Sequence, residues 1–155
     1  MMMKIRIEVD SACPKEEIVF RCSSLSEENV CLYEKLKELA RQQETMVFYK
    51  DNTEYFLSLS SILFFETDGR EVQAHTADNV YRTAKRLYEL EELLPAFFLR
   101  ISKSTILNLS AIYSLDRTLP SGCYISFADT YKKVYVSRHY YPILRRRLEE
   151  RRSYI

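Results

Sequence analysis

The stretch SILFFETDGREVQAHT, residues 61–76, decides how the chain is read. An apolar run, Ile62 to Phe65, meets the turn residues Thr67-Asp68-Gly69-Arg70 and is answered by Glu71–Thr76, where Val72 and Ala74 alternate with polar neighbours. Two such runs joined through Asp-Gly make a β-hairpin, because glycine takes the positive φ that tight hairpin turns require. Upstream, MVFYK (46–50), the turn Asp51–Thr53 and EYFLSLS (54–60) give a second hairpin. Downstream, DNVYRTAKRLYELEELLP (78–95) predicts a helix. Asp78 caps it, Val80, Tyr81, Ala84, Leu87, Tyr88 and Leu94 form a stripe, and Pro95 stops it. AFFLRIS (96–102) follows as a strand, and KSTILNLSAIYSL (103–115) reads as a turn and then a strand ending at Leu115. After the loop DRTLPSG (116–122), CYISF and YKKVYV pair across Ala128-Asp129-Thr130, and a short basic helix begins near Pro142. Short strands on polar turns make the fold class α+β and mainly β: an antiparallel meander with flanking helices.

Residues 1–45 carry a different pattern. KIRIEV (4–9) alternates apolar with polar and EIVFRC (17–22) is apolar-rich, so both read as strands. A helix follows, capped by Ser24 or Ser26, with Glu27 and Glu28 at its positive end and Lys35, Lys37 and Arg41 at its negative end. Leu32, Tyr33, Leu36, Leu39 and Ala40 share one face. The expected organisation is a strand–strand–helix element over 1–45, too small to hold a core alone, and a main domain over 46–155.

Several function classes fall on composition. With 155 residues, 46% hydrophobic and 29% charged, the chain has material for a core. It has two glycines, Gly69 and Gly122, far apart, so no glycine-rich phosphate loop can be built. No apolar run approaches the roughly 20 residues of a membrane span. The opening MMMKIRIEVD is charged and alternating, unlike a signal or transit peptide, so a cytoplasmic protein is expected. Cys13, Cys22, Cys31 and Cys123 form no CxxC pair, and reduced thiols are expected. With only His75 and His139 and no HExxH spacing, nothing points to an enzyme, a metal or a cofactor.

Charge is distributed unevenly. The net value is +1, yet residues 95–155 hold eleven basic side chains against Asp116, Asp129, Glu149 and Glu150. Arg70 sits at the hairpin turn, Arg100, Ser102, Lys103 and Ser104 crowd the end of the FFLRIS strand, and Ser137, Arg138 and His139 follow YKKVYV. Cations at strand ends and loops are placed for contact. Arginine can donate two parallel hydrogen bonds to guanine, while Lys, Ser and backbone amides suit phosphates. Nucleic acid is the partner these residues favour, and a regulatory protein- or ligand-binding module without DNA affinity is the alternative. The Arg145–Arg152 run either reaches phosphates or forms the outer side of a helix whose Ile143, Leu144 and Leu148 pack inward. Ser104, Asn108 and Glu66 are read as structural, His75 as a strand residue, and Phe48, Phe56, Phe64, Phe65 and Phe97 as core.

Phe64-Phe65-Glu66, Phe98-Leu99-Arg100, Ser104 with Asn108, and Val136-Ser137-Arg138 occur in an order and spacing that resembles the LytTR family of bacterial DNA-binding domains, over about 46–150. The resemblance implies an elongated, mainly β fold that binds DNA through loops and regulates transcription. Its base-contacting positions map onto Arg70, Lys103 and Arg138, with Ser102 as a neighbouring base or phosphate contact and Arg100 and His139 beside them. Ser102-Lys103 stands where the family often has His next to Arg or Asn, and Glu71 either holds Arg70 or accepts from a cytosine amino group. The resemblance further suggests a membrane-protein partner, and a homodimer on repeated half-sites is expected. Residues 1–45 are too few for a phosphoacceptor receiver domain, so the N-terminal helix is expected to pair with its copy.

Overall fold

The computed structural model describes residues 3–14, 17–41, 44–117, 120 and 122–152; of the loop 116–122, residues 118, 119 and 121 lie outside it. The chain divides into two units, Met1–Leu36 and Lys37–Ile155. Before Thr45 the one regular element among the described residues is α1 (Glu27–Arg41). Ser26 caps it: the Ser26 hydroxyl accepts from Asn29 N at 3.2 Å and its carbonyl from Val30 N at 3.0 Å.

Neither KIRIEV nor EIVFRC is a strand in this chain. Alternation supplies a strand with a face, but a strand also needs a neighbour to take its backbone hydrogen bonds. Here Ile5, Ile7 and Val9 stand 92%, 89% and 92% exposed.

In the second unit, β1 (Thr45–Lys50), β2 (Thr53–Ser58), β3 (Phe64–Asp68), β4 (Glu71–His75), β5 (Val80–Thr83), β6 (Phe98–Arg100) and β7 (Thr105–Asn108) build one antiparallel sheet in the order β2-β1-β5-β4-β3-β7-β6. A second sheet, β10-β9-β8, consists of β8 (Ile112–Asp116), β9 (Gly122–Phe127) and β10 (Lys133–Ser137). Two further helices, α2 (Leu87–Leu93) and α3 (Tyr141–Arg152), complete the unit.

Successive strand residues point to opposite faces, and here both faces are covered. Phe65 and Ile106 enter one core with Phe48, Tyr81, Leu90 and Phe97; Phe64 and Leu107 enter the other with Ile125, Phe127, Val136 and Leu144. Double burial explains why SILFF and TILNL are continuous apolar runs rather than alternating ones. Asn108, 1% exposed, joins the layers: Nδ2 donates to Ile62 O at 2.8 Å and Oδ1 accepts from Ser110 N at 2.9 Å. Its structural reading holds.

The helix expected over 78–95 is shorter. Val80–Thr83 is a strand between β4 and β1, and α2 starts at Leu87 with the Glu89 carboxylate accepting from Arg86 N at 2.7 Å. Tyr81 and Thr83 face inward while Val80 and Arg82 face out, a period of two that the overlapping helical stripe disguises. Phe56 also departs from expectation, being 70% exposed on β2, where the core side is taken by Tyr55 and Leu57.

Candidate nucleic-acid interface

The register of β3 and β4 pairs Asp68 with Glu71, leaving Gly69-Arg70 as a two-residue turn. Gly69 takes φ 62° at the first turn position, where a side chain would be strained, and Arg70 is carried to the apex. Glu66 pairs with Thr105, so β7 begins where β3 ends, and the β6–β7 turn holding Ser102 and Lys103 comes to the same end of the sheet. A backbone bond from Thr67 N to Ser104 O, 2.9 Å, ties the two turns together. Two strand spacings separate them, about 10 Å, against a major groove about 12 Å wide. Arg70 and Lys103 are exposed, and among the described residues neither side chain has a hydrogen-bond or ion-pair partner.

Arg100 is different in kind. Its guanidinium turns inward: Nε donates to Ser102 O at 2.9 Å, Nη2 to Lys103 O, and Nη1 to the Glu91 carboxylate at 2.8 Å. All three nitrogens are engaged within the protein, so Arg100 shapes the turn that presents Ser102 and Lys103. Glu71 likewise pairs with Arg82 at 3.3 Å rather than with Arg70.

Arg138 belongs to the other sheet. Ser137 pairs with Gly122, so Arg138 leaves β10 beside the β8–β9 loop. There Arg117, Pro120, Gly122, Arg138 and Tyr141 line a shallow hollow of about 250 Å³. A Cβ on Gly122 would lie 2.3 Å from Val136 O, so only glycine allows this approach of β9 to β10. His139 is exposed, its ring edge-on to Tyr140 at 5.0 Å. At the far end of this sheet Lys132 Nζ donates to the carbonyls of Thr76 and Asn79, both 2.8 Å, in the β4–β5 connection.

The arginines of α3 serve the fold more than a ligand. Arg147 reaches the Ala96 carbonyl, Arg151 bonds the Ser110 hydroxyl at 2.9 Å and Glu38 at 3.3 Å, and Arg145 pairs with Glu149 at 3.4 Å. Arg146 remains exposed, and the Arg152 side chain lies outside the described residues. His75 is stacked on Phe64 with centroids 4.2 Å apart. Burial first, and the Lys132 charge second, push its pKa down to about 4. Glu66 Oε2 lies 3.4 Å from Nε2, but the neutral ring makes no hydrogen bond there, so the contact is not an ion pair at neutral pH.

The sequence profile of the LytTr DNA-binding domain matches residues 52–149. The chain belongs to the LytTR family. A solved LytTr DNA-binding domain from Bacillus cereus superposes with a TM-score of 0.64 at 21% identity, covering 68% of this chain and 96% of that one. Uncharacterized HTH-type transcriptional regulators of Staphylococcus aureus, strains MSSA476 and NCTC 8325, are 27% identical over 149 residues, 95% of this chain and 99% of theirs. The helix-turn-helix in those names has no counterpart among the described residues of this LytTR protein: β1 follows α1, β6 follows α2, and α3 follows β10. LytTR domains bind DNA and are not an enzyme family. Among the described residues, no helix is long and apolar enough to cross a membrane.

Two cations escaped the sequence reading. Thr83 pairs with Val72, so β5 ends beside the Arg70 turn, and exposed Lys85 and Arg86 follow it to the same end of the LytTR sheet. A single helix over 78–95 would carry both away from the β-turns. The alternation of Tyr81 and Thr83 was the available signal.

Proposed function

We propose that this protein is a bacterial transcriptional regulator whose LytTR domain binds specific double-stranded DNA sites through its loops. Arg70 and Arg138 read bases, Lys103 contacts a base or a phosphate, Ser102 stands beside it, and Lys85 and Arg86 hold the backbone. The carrying observation is the pairing of Arg70 and Lys103 on adjacent turns, unpartnered and within one groove's width, in a domain of a DNA-binding family. Arg100 acts one step removed, by holding the Lys103 turn, and His139 flanks Arg138. Two copies act together on repeated half-sites, as the symmetry of a homodimer favours.

A gel-shift titration over salt tests this. Phosphate contacts release counterions, so affinity should fall steeply between 50 and 200 mM salt. Arg70→Ala should weaken the specific site by about 1–3 kcal/mol and relax one base position. Lys85→Ala should weaken all sequences alike and flatten the salt slope. Salt-independent binding, or none to any duplex, would instead favour a module that acts on protein or a small ligand.

A further inference from the structure

Lys4-Ile5-Arg6-Ile7-Glu8-Val9-Asp10 has a symmetry that the isolated chain does not use. The basic residues occupy its first half and the acidic ones its second, with an apolar residue at every other position. The segment ends cleanly: Asp10 Oδ1 accepts from Ala12 N at 2.9 Å and Asp10 O from Cys13 N at 3.1 Å, turning the chain away, and Pro14 follows. Arg6 and Glu8 lie on one side of it, 2.5 Å apart, as residues two apart do in extended backbone. Ile5, Ile7 and Val9 face solvent, all at about nine-tenths exposure or more.

We infer that this segment is a docking strand for a second copy of the same chain, the two pairing antiparallel about Ile7. In that register Ile7 meets Ile7, Ile5 meets Val9, Arg6 meets Glu8 and Lys4 meets Asp10, each of the last three twice across the two-fold axis. Every facing charge is opposed and every apolar residue meets an apolar one. The neighbouring registers that keep the faces matched are worse. Centring on Arg6 sets Arg6 against Arg6, and centring on Glu8 sets Glu8 against Glu8. A shift of one residue sets charge against apolar side chain. Parallel stacking would place Lys4 on Lys4 and Glu8 on Glu8, so the charge pattern selects a closed pair and disfavours open-ended association.

A two-stranded ribbon is marginal alone. Further apolar side chains of the same unit are open to cover its apolar face, Ile5, Ile7 and Val9 from both copies: Ile18, Val19 and Leu25 are 72%, 59% and 87% exposed in the single chain. This places the dimer contact on the strand rather than on the helix pairing that the sequence reading favoured. It does not depend on DNA binding, so its test needs no DNA.

Sedimentation velocity on the full chain across a micromolar dilution series reads the dimer directly. Lys4→Glu/Arg6→Glu makes every charged position of the strand acidic, and Glu8→Lys/Asp10→Lys makes every one basic. Each variant alone should raise the dimer dissociation constant at least about tenfold, from four attractive facing pairs turned repulsive. Mixing the two should restore dimers, now heterodimers, and Arg6→Glu/Glu8→Arg in one chain should restore homodimers. A wild-type protein that stays monomeric, variants that dimerise as well as wild type, or a mixture that fails to associate would each overturn the inference. All these positions are exposed, so circular dichroism of every variant should match wild type.

Discussion

Replacing Arg100 by Ala removes hydrogen bonds to the carbonyls of Ser102 and Lys103 and the ion pair to Glu91. A bond from a charged donor is worth about 1.5–3 kcal/mol, but both acceptors lie in a surface turn where water can replace the guanidinium. The Glu91 pair is half-open to solvent at its carboxylate and adds well under 1 kcal/mol. The expected loss is therefore about 2–3 kcal/mol, read as a lower urea midpoint. Arg100→Lys sharpens the test, because one ammonium keeps the charge but cannot span two carbonyls and a carboxylate as the planar fork does. If Arg100 positions the turn, Lys fails almost as badly as Ala in both stability and DNA affinity, while base preference at the Arg70 position survives. A variant with an unchanged urea midpoint but lost affinity, rescued by Lys, would show that Arg100 touches DNA directly and refute the positioning role.

Lowering the pH should destabilise the protein through His75. Below its ordinary value near 6.5 the unfolded chain takes up a proton that the folded ring resists until about pH 4. Stability should drop by about 1–2 kcal/mol between pH 7 and pH 5 through this group, and His75→Phe, which keeps the stack on Phe64, should remove that share of the slope in paired urea titrations. Gly122→Ala drives a methyl against Val136 O and should lower stability by about 2 kcal/mol or more, with a matching fall in melting temperature. Asn108→Ala strands the buried Ile62 carbonyl and should cost about 2–3 kcal/mol by denaturant unfolding.

The hairpins were legible because their signals are local: Asp68-Gly69 between apolar runs specifies its own turn, and β9–β10 is bounded in the same way. Val80–Thr83 was not, since its apolar spacing fits a helix as well as a strand and the decision rests on β4 and β1, distant in sequence. Residues 4–9 failed for the converse reason: the alternation is present and the neighbouring strand is absent. At the site, Arg70, Ser102, Lys103 and Arg138 could be picked out by position on loops. Arg100 could not be separated from them, because the inward turn of its guanidinium depends on Glu91 of α2 and on the curl of a turn that residue type does not encode. Lys85 and Arg86 were hidden behind the overlong helix.

In vitro selection of duplex oligonucleotides, run side by side on wild type, Arg70→Ala and Arg138→Ala, bears most directly on loop-borne base reading. Wild type should enrich a defined motif, and each variant should lose preference at a separate position while keeping the rest. Enrichment of no motif by wild type, or one motif shared unchanged by all three proteins, would contradict it.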